Sequence, residues 1–519
     1  MEAKLARLEN RIGYEPYYNW VRRYWTARGK SLDFYYHNYL IPIYRDQHPH
    51  LTIMKSAQTG ATERFITEAI WLPDQFRENS IYLFPTGGTI SDLVQERIQE
   101  PMNSSEYLRI ASSNYYSDSN KKVDKVSLKR MSKGFAYFRG ANSPTQITSI
   151  AGDAIFVDEV DRMIQENIPF FTKRLAHSSR AWQRWASTPT IPNFGIHDLF
   201  NQTDQRSYLL KCNSCGTWQE LEFDKNVSYE LNEGECANAT LICEKCKKEI
   251  VPWKSKGEWV AKFPSKTKRG YFLSGLYSPL VALREMVDES LQSAEYKVQQ
   301  FYNQVLGVPY ESSGSKITNE DIKGCVDDYK MPFIPEERIF VGIDVGKKLH
   351  YIVRTRNKII DIGSVLDFFG NRDCLEAIIR KYKPSGVVID ALPETRKAQE
   401  LCGKFPRMKI CYYSSLEITK SNKYWKVSEE KVNTDRTVSL DMVFAEFKEN
   451  KISLPKNYDA DPEFVSHLKS TNRVMYQDNK GDQKIQYVPT SDDHLLHAAN
   501  YAKLASEVFN TVTPEIFTV

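Results

Sequence analysis

Short apolar runs that end in polar or glycine-containing turns dominate the chain between Leu51 and Thr188. They occur in LTIMKSAQTG, SIYLFPTGG, FAYFRGANS, AIFVDEVD and QRWASTPT, and most precede a stretch that suits a helix. Runs of this kind are typical of buried strands, and their alternation with helices predicts an α/β sheet. In such sheets the reactive groups lie at the C-terminal ends of the strands.

A second series of strands begins near Arg338. The segments IFVGIDVG, LHYIVRT and KIIDIGSVLDF predict three successive strands, and GVVIDA and KICYYS predict two more between helices. A hairpin is predicted at RVMYQ and KIQYV, around Asn479-Lys480-Gly481, and the last helix starts at SDDHLLHAANYAKLA. The pattern therefore predicts a second α/β domain.

These patterns define the domain boundaries, and a length of 519 residues is enough for about two to four domains. Residues 1–50 are predicted to form an N-terminal helical lead-in. Residues 51–310 form the first α/β domain, with a polar, cysteine-containing insert at about 205–270. Residues 311–335 are polar and lack a clear apolar period, which predicts a linker. Residues 336–519 form the second domain.

Composition narrows the class of protein. Hydrophobic residues make up 41% and charged residues 26%, so the chain can bury sizeable cores and dominant disorder is excluded. The net charge of +4 is too small to indicate a nucleic-acid partner by itself. No uncharged stretch approaches the roughly 18 residues of a membrane-spanning helix, and the N-terminus lacks the apolar core of a signal peptide. We therefore expect a cytoplasmic protein without a membrane partner.

The segment from Lys55 to Thr62 has the length and register of a phosphate-binding loop between a strand and a helix. Backbone N–H groups in such a loop bind phosphates, and the Thr62 hydroxyl suits Mg²⁺. The segment departs from GxxxxGK(S/T), because Lys55 replaces the first glycine and Ala61 stands where lysine is expected. A lysine at the start of the loop can still fold back towards the phosphates. The alternative is an ordinary strand–turn–helix whose lysine extends to solvent. The candidate ATP-binding residues here are Lys55, Ser56, Gln58, Thr59, Gly60, Ala61 and Thr62.

Two adjacent carboxylates, Asp158 and Glu159, end the apolar run AIFV. Phosphoryl transfer to water needs one carboxylate to hold Mg²⁺ and a second to orient and deprotonate the water. Asp158 suits the first role and Glu159 the second, which predicts an ATPase that uses ATP with Mg²⁺. The alternative for an acidic pair after an apolar run is helix capping.

Four further residues are candidates for the ATP site. Ser187 and Thr188 end a later strand and could sense the γ-phosphate and couple hydrolysis to motion. Gln47, just before the first strand, is a candidate adenine contact. Arg139 precedes a Gly-Ala-Asn-Ser turn and could neutralise phosphate charge, in cis or from a neighbouring subunit, although an arginine at a strand end is usually solvated.

Two CxxC pairs, Cys212 with Cys215 and Cys243 with Cys246, are separated by 27 residues. Four thiolates in two such pairs suit tetrahedral Zn²⁺, and four protein ligands leave no open position, so the predicted site is structural. Cys236 is expected to lie outside the site. The alternative is four unligated thiols in a loop, which would leave a small polar insert with little else to hold it together.

Carboxylates of the second domain fall on the first strand (Asp344), at the end of the fourth strand (Asp390) and at the start of the last helix (Asp492 and Asp493). This is the pattern of an RNase H-like nuclease, in which three carboxylates hold two divalent cations about 4 Å apart. We predict Asp344, Asp390 and Asp493 as ligands of Mg²⁺ or Mn²⁺, with Asp492 as an alternative to Asp493. His494 could orient a ligand, and Arg436 could contact DNA phosphate. Taken singly, such aspartates are more often turn or cap residues.

An ATPase with a displaced loop lysine, paired CxxC motifs and an RNase H-like acidic pattern together resemble the large subunit of phage terminases, specifically the lambda-like gpA family. The segments FRGANSPTQITSIAGDAIFVDEVDR, the CxxC pairs, and YFLSGLYSP followed by FYNQVLGVPY carry the resemblance. It implies an ASCE-type P-loop NTPase domain with a zinc-binding insert, followed by an RNase H-like α/β nuclease domain. One departure is His497, which stands where many terminases have a further aspartate.

The resemblance also implies a function and partners. Such an enzyme translocates viral double-stranded DNA into procapsids and cuts the DNA concatemer. Its expected partners are double-stranded DNA, a small terminase subunit and the portal protein, and it works as a homo-oligomeric ring in the host cytoplasm, absent from the mature virion. The terminal TPEIFTV is a candidate docking tail. Ring stoichiometry, site-specific or headful cutting, and the source of an arginine finger stay open.

Two other classes of protein compete with this interpretation. One is an ATP-dependent DNA helicase or remodeller whose second domain is an inactive nuclease. The other is a non-enzymatic, zinc-stabilised scaffold protein, which would have no DNA-stimulated ATPase activity.

Overall fold

The computed structural model describes residues 15–27, 29–112, 124–142, 147, 150–279, 282–312, 314–370, 372–414, 424–477 and 483–509. The chain divides into two compact units, Met1–Ser312 and Ser313–Val519. Residues 1–14 of the predicted lead-in, the turn at Asn479-Lys480-Gly481 and the candidate docking tail lie outside the described residues. Among the residues described, no helix is both long and apolar enough to cross a membrane.

The described strands of the first unit lie mostly in one large sheet. They are β1 (Thr26–Ala27), β2 (Lys30–Ser31), β3 (His50–Lys55), β4 (Ser80–Phe84), β5 (Asp124–Lys125), β6 (Leu128–Arg130), β7 (Phe135–Gly140), β8 (Ala154–Asp158), β9 (Trp182–Ser187), β10 (Arg206–Lys211), β11 (Trp218–Gln219), β12 (Val227–Asn232), β13 (Glu235–Leu241), β14 (Gly257–Ala261) and β15 (Arg269–Leu273). The sheet order is β11-β10-β15-β3-β9-β8-β4-β7-β6-β5, with β14 paired to β10. From β10 to β7 along this order all neighbours are parallel, so their carboxyl ends share one edge.

Helices of the first unit connect these strands. They are Tyr17–Tyr24, Leu40–Arg45, Ala61–Gln75, Gly87–Val94, Glu100–Ser104, Glu106–Ala111, Ile168–Thr172, Gly195–Asn201, Phe223–Asn226, Leu283–Ser290 and Glu295–Gln300, with π-helical turns at Gln95–Gln99 and Phe301–Leu306 and 3₁₀ turns at Val160–Arg162, Gln165–Asn167, Lys173–Leu175, Pro252–Lys254 and Gly275–Tyr277. Every residue of β8 is buried. A parallel strand covered on both faces reads as a continuous apolar run, which is why AIFV was visible in the sequence.

A buried ionic group fastens the helix Ala61–Gln75 to the sheet. The Glu68 carboxylate accepts a hydrogen bond from Nε of Arg184 on β9 at 2.7 Å and also pairs with Arg64 of its own helix. All three side chains are fully buried, so loss of one partner would leave an unpaired charge in the core. This group connects the middle of the helix to β9, the strand next to β3.

The predicted insert at 205–270 is not a separate body in the structure. Its first strand, β10, pairs with β15 of the main sheet, and β14 pairs with β10. The hairpin of β12 and β13 is a sheet of its own. The insert therefore contributes β10 and β14 to the main sheet, and these strands look polar in sequence because β10 has only two buried residues and β14 has none.

The second unit has a sheet in the order β18-β17-β16-β19-β20-β22-β21. Its described strands are β16 (Phe340–Val345), β17 (Leu349–Arg354), β18 (Ile359–Val365), β19 (Gly386–Asp390), β20 (Met408–Tyr413), β21 (Trp425–Val427) and β22 (Lys431–Thr434), and a hairpin is formed by β23 (Thr471–Gln477) and β24 (Gln483–Pro489). Its helices are Asn319–Gly324, Leu375–Tyr382, Thr395–Lys404, Arg436–Lys448, Phe464–Lys469 and His494–Val508, with a 3₁₀ turn at Tyr458–Ala460. Three antiparallel strands followed by parallel ones agree with the predicted RNase H-like pattern.

The predicted linker at 311–335 is wrong for most of its length. Ile317, Ile322, Cys325 and Met331 are buried in the core of the second unit. A capping box, in which Thr318 and Asp321 exchange hydrogen bonds, starts the helix Asn319–Gly324. These few apolar residues stand in a polar segment without a clear period, so their burial depends on packing against distant elements that the local pattern does not reveal.

The final helix crosses β16 at very short range. A Cβ atom on Gly342 would lie 2.0 Å from the backbone nitrogen of Ala502 and 2.2 Å from the carbonyl oxygen of Ala498. Only glycine lets helix and strand approach so closely, and this approach places the start of the helix over the end of β16.

We predict that Gly342→Ala lowers the free energy of unfolding of the second unit by about 3 kcal/mol, because two backbones must separate. Scanning calorimetry of the full chain measures this as a lower transition temperature. Gly403→Ala is the matched control, since a Cβ atom at that position would have nothing within 4 Å. An unchanged transition in Gly342→Ala would contradict the packing described.

Candidate ATPase, zinc and nuclease sites

The predicted ATP-site residues converge at the carboxyl edge of the first sheet. Strand β9 lies between β3 and β8, and Ser187 of β9 is in register with Met54, while Ala186 is in register with Asp158. The ends of three neighbouring strands therefore place Lys55, Ser187 and Asp158 side by side.

Lys55 is paired with Glu159 in the structure. Its Nζ donates a hydrogen bond to Oε1 of Glu159 at 2.9 Å, and both side chains are largely buried. Burial alone would lower the pKa of Lys55, but the carboxylates of Glu159 and Asp158 raise it. Burial likewise opposes ionisation of Glu159, and Lys55 and Arg162 lower the pKa of this carboxyl below its usual range. The pair is thus a charged group in a water-poor site.

Asp158 is completely buried beside this pair. Burial raises its pKa, and the nearby charge of Lys55 opposes that rise. Its Oδ2 accepts a hydrogen bond from the Tyr82 hydroxyl at 2.7 Å, and Thr62 also forms a hydrogen bond to it. The hydroxyl and the carboxylate that we predicted to share Mg²⁺ are therefore already neighbours.

The loop after Lys55 has fewer free amides than its sequence suggested. The N–H of Ser56 donates to the carbonyl of Leu273 at 2.8 Å, and that of Ala57 to the carbonyl of Gln304 at 2.8 Å. Gly60, with φ +86°, precedes the helix Ala61–Gln75. An anion would therefore meet the later amides, from Gln58 to Thr62, at the N-terminus of this helix.

The other candidates for the ATP site are Ser187, Thr188, Gln47 and Arg139, and the contacts described here do not connect them to the loop. The Ser187 hydroxyl accepts from the backbone N–H of Asp161 at 3.2 Å, and Thr188 is buried. Gln47 lies directly before β3, next to the buried Asp46. The Arg139 guanidinium donates to the carbonyl oxygens of Phe138, at 2.9 Å, and Ser127, on the β6–β7 side of the sheet. In this structure the Arg139 guanidinium thus binds backbone carbonyls, and its predicted role stays a prediction.

The sequence analysis missed Asp161. This carboxylate accepts hydrogen bonds from the N–H of Thr190 at 2.8 Å, the Thr190 hydroxyl at 2.9 Å and the N–H of Ile196 at 2.7 Å. The carbonyl of Thr190 in turn accepts from Asn303 and Tyr310. Asp161 therefore links the end of β8 to the segment that follows Ser187 and Thr188. The residue was hidden in EVDR, where an acid looks like a surface residue.

The four predicted cysteines meet at one point. The Sγ atoms of Cys212 and Cys246 are 3.7 Å apart, as are those of Cys215 and Cys243, and all four lie within 4.8 Å of one another. Tetrahedral Zn²⁺ with Zn–S bonds near 2.3 Å requires sulfur atoms about 3.8 Å apart, so the donor set and its size fit zinc.

The turns around these thiols are alike in the two pairs. The N–H of Gly216 donates to the carbonyl of Cys212, and the N–H of Lys247 to that of Cys243, each at 2.9 Å. Nε2 of Gln219 donates to Sγ of Cys243 at 3.3 Å, and Thr217 lowers the pKa of the Cys215 thiol to about 6. Cys236 lies outside this group, in the β12–β13 hairpin, where its thiol donates to the carbonyl of Asn238.

In the second unit, Asp344 and Asp390 lie on neighbouring parallel strands. Ile343 of β16 is in register with Ile389 of β19, so the next residues, Asp344 and Asp390, are adjacent at the carboxyl edge. Burial raises the pKa of Asp390 to about 6, and the nearby negative charge of Asp344 adds to the rise. Two acids that repel in this way are the electrostatic mark of a cation site.

Asp493 precedes the final helix and faces a histidine. Its Oδ2 lies 3.3 Å from Nε2 of His497 and accepts from the Thr471 hydroxyl at 3.1 Å. Burial opposes ionisation of Asp493, but the hydrogen bonds from His497 and Thr471 lower its pKa to about 2. Asp492 is exposed.

The described residues gather one further set of possible metal ligands, and it is not the predicted acidic triad. A carboxylate oxygen of Asp344 and one ring nitrogen each of His350 and His494 lie within 4.8 Å of one another. Nδ1 of His494 is 2.9 Å from Oδ2 of Asp344, and this hydrogen bond raises the pKa of His494. His350 was not a candidate in the sequence, where it is one apolar-flanked residue of LHYIVRT.

Comparison with known families agrees with this architecture. Residues 41–261 match the model of the phage terminase large subunit gpA ATPase domain, and residues 268–360 match that of the terminase large subunit gpA endonuclease domain. The second match contains Asp344 and ends before Asp390 and Asp493. No curated protein sequence matches this chain.

Several solved structures are similar to the chain. The HK97 bacteriophage large terminase has 10% identity and a TM-score of 0.48, over 94% of this chain and 98% of that one. The large terminase of a thermophilic bacteriophage has 14% identity and a TM-score of 0.30, with 94% and 98% covered. The large terminase nuclease of the thermophilic phage G20c with bound magnesium has 12% identity and a TM-score of 0.25, over 37% of this chain and 98% of that one.

The two units thus define an ATPase joined to a metal-dependent endonuclease. The two family matches together span more than half of the chain. The chain belongs to the gpA family of phage terminase large subunits, the enzymes that package and cut viral DNA.

Asp161 gives a testable pH dependence. Burial raises its pKa to about 7 from an ordinary 3.8. A carboxyl whose pKa is higher in the folded state stabilises the fold fully below about pH 4, and this contribution is lost as the pH rises through 7. Between pH 5 and pH 8 we expect the wild-type first unit to lose roughly 2 kcal/mol more unfolding free energy than Asp161→Asn.

Denaturant unfolding followed by tryptophan fluorescence measures this difference, because all tryptophans except Trp425 lie in the first unit. Asp198→Asn, at an exposed carboxylate, is the control and should keep the wild-type slope. Equal slopes for wild type and Asp161→Asn would contradict the buried, protonated state.

Proposed function

We propose that the first unit hydrolyses ATP with Mg²⁺ at the edge formed by β3, β9 and β8, and that the second unit cuts duplex DNA with Mg²⁺ or Mn²⁺ held by Asp344, Asp390 and Asp493. The observation that carries the proposal is the largely buried group of Lys55, Asp158 and Glu159 beside a helix N-terminus. Such a group is costly to bury and is typical of a nucleotide site.

In this proposal the ion pair of Lys55 and Glu159 belongs to the state without nucleotide. A phosphate at the N-terminus of the helix Ala61–Gln75 offers Lys55 a second anionic partner. Lys55 then turns towards the phosphate and leaves Glu159 free to accept a proton from water. Since Lys55 is buried, it needs one partner or the other at all times, so the release of Glu159 depends on bound nucleotide.

The remaining ATP-site residues bind the phosphates and Mg²⁺. The amides from Gln58 to Thr62 bind the phosphates, and Thr62 with Asp158 supplies oxygen ligands for Mg²⁺. When bound, Mg²⁺ neutralises charge that develops on the phosphoryl oxygens. Ser187 and Thr188 lie between Lys55 and Asp158 and connect, through Asp161 and Thr190, to Asn303 and Tyr310. We propose this chain of hydrogen bonds as the route that couples hydrolysis to motion. Gln47 is proposed to contact the adenine, and an arginine such as Arg139 to neutralise phosphate charge.

The nuclease proposal assigns different positions to the carboxylates. Asp344 lies in the centre, Asp390 is next to it on β19, and Asp493 approaches from the final helix. Two cations about 4 Å apart do not require all three carboxylates around one ion. Asp390 and Asp493 therefore need not belong to the group of Asp344, His350 and His494, whose ligand atoms all lie within 4.8 Å of one another. When bound, the ions activate water and stabilise the leaving oxygen. His497 and Thr471 hold Asp493 ionised and in place.

Zn²⁺ is proposed for the four thiols, as a structural ion. DNA is proposed to bind through its phosphates, since a packaging enzyme must accept every sequence that passes, and its affinity should fall with salt. A small terminase subunit, the portal protein of a procapsid and further copies of the chain in a ring are proposed partners, and the host cytoplasm is the proposed place of action.

Separate substitutions should divide the two activities. Glu159→Gln should lower the kcat of DNA-stimulated ATP hydrolysis at least about 100-fold while leaving metal-dependent plasmid cleavage unchanged. Asp390→Asn should do the reverse, with cleavage reduced at least about 100-fold. Exposed acids, Glu166→Gln and Asp367→Asn, are the controls. If Asp390→Asn cuts DNA as the wild type does, the second unit is not a nuclease that uses these residues and the helicase interpretation gains.

Zinc content tests the thiol site. We expect one Zn²⁺ per purified chain by elemental analysis and its loss in Cys243→Ser, because three thiolates hold the ion less tightly. Cys236→Ser is the matched control, since Cys236 is also buried in this region but lies outside the group. Full zinc content in Cys243→Ser, or none in the wild type, would contradict the assignment.

A further inference from the structure

Asp344 has a different neighbour on each side. On one side, β19 carries Asp390. On the other side, the antiparallel strand β17 places His350 directly opposite Asp344 in register. Directly paired residues project to the same face of a sheet, so the Asp344 carboxylate lies between an acid and an imidazole. The side that carries His350 has no assigned role in the nuclease proposed above.

His494 completes a compact set on this side. Its ring stacks on that of His350 with centroids 4.9 Å apart and planes inclined by 8°, and its Nδ1 is 2.9 Å from Asp344. One ligand atom of each of these three residues lies within 4.8 Å of the others. Ligand atoms bound at about 2.0–2.2 Å to one ion lie roughly 3–4 Å apart, which is within this limit.

The environment of His350 indicates that it is more than a packed ring. The residue is 3% exposed, and its Nδ1 has no hydrogen-bond partner in the described part of the chain. Its Nε2 is 3.2 Å from Glu463, which is itself held by Lys348 at 2.8 Å. A neutral imidazole that donates from Nε2 to this carboxylate carries a bare lone pair on Nδ1. Metal-binding histidines are oriented by such carboxylates, and a buried lone pair without a donor suits a cation.

The chemistry of the set selects a class of ion. Two imidazoles and one carboxylate form a ligand set typical of divalent transition metals, whereas Mg²⁺ prefers oxygen ligands and water. Asp390 and Asp493 are close to a different histidine, His497. The two carboxylates that accompany Asp344 in the nuclease proposal are therefore separate from the set formed with His350 and His494.

We propose that Asp344, His350 and His494 bind a divalent transition-metal ion, such as Mn²⁺, that Mg²⁺ does not replace. Glu463 positions His350 for this role. The inference rests on the proposed nuclease only in sharing Asp344, and it assigns a second, nitrogen-containing metal position on the β17 side of this residue.

Mn²⁺ binding to the full chain that carries one Zn²⁺, at the four thiols, tests the proposal without using catalysis. Bound Mn²⁺ is counted from the loss of the EPR signal of free Mn²⁺, in the absence and in the presence of excess Mg²⁺. We expect one Mn²⁺ per chain to remain bound in excess Mg²⁺. His494→Asn, at a half-buried position, and His350→Gln should each weaken this Mg²⁺-resistant binding at least tenfold.

Two control variants change neighbouring residues that are not ligands in this proposal. His467→Asn removes the third imidazole of the cluster, whose ring contacts both His350 and His494 without belonging to the ligand set, and it should keep the Mg²⁺-resistant Mn²⁺. Asp390→Asn should keep it too, whether or not DNA cleavage is lost, so failure of the nuclease proposal is recognised separately. Undiminished Mg²⁺-resistant binding in His494→Asn with a native circular dichroism spectrum, or complete displacement of Mn²⁺ from the wild type by Mg²⁺, would overturn the inference.

Discussion

A buried lysine needs a nearby negative charge, and this need governs the first unit. Lys55 is enclosed where β3 ends, and its ammonium stays charged because Glu159 lies 2.9 Å away and Asp158 is close by. Desolvation of any one of these groups alone would be prohibitive, so they are stable only together or with another ion of suitable charge. In the function that we propose, this site responds to a phosphate, since an anion at the helix N-terminus changes which partner Lys55 needs.

In the second unit the clustered charges are negative, and they need nearby positive charge. Asp344, Asp390 and Asp493 bring negative charge to one edge of a sheet, and the protein offsets it unevenly. Asp493 receives hydrogen bonds from His497 and Thr471, whereas Asp390 is destabilised in its ionised form by burial and by Asp344. Uncompensated acidity of this kind favours cations. The neighbours of Asp344 on its two sides differ in chemistry, which gives a physical reason for the two unlike metal positions that we propose.

The sequence predicts those site residues that belong to short local motifs, and it does not reveal those that depend on contacts with distant parts of the chain. Lys55, Asp158 and the cysteine pairs belong to short motifs in which residue type and spacing define the chemistry, and the structure brings each set together. His350 and Asp161 depend on strand register and on hydrogen bonds to residues far along the chain, so nothing in LHYIVRT or EVDR marks them. The linker over 311–335 was predicted wrongly for the same reason, because Ile317 and Ile322 acquire a core only from elements that follow much later. Arg139 keeps its predicted role only as a proposal, since it lies on β7, two strands from β8, and its guanidinium donates to the backbone carbonyls of Phe138 and Ser127.

The central claim is that two acidic edges, one in each unit, gather divalent cations for different reactions. Anomalous diffraction from crystals grown with a non-hydrolysable ATP analogue and Mn²⁺ tests it most directly. The account predicts Mn²⁺ beside Asp158 and Thr62, with Lys55 moved from Glu159 to a phosphate, and separate Mn²⁺ at Asp344. Nucleotide bound elsewhere with the pair of Lys55 and Glu159 intact, or no Mn²⁺ within bonding distance of Asp344, would contradict it.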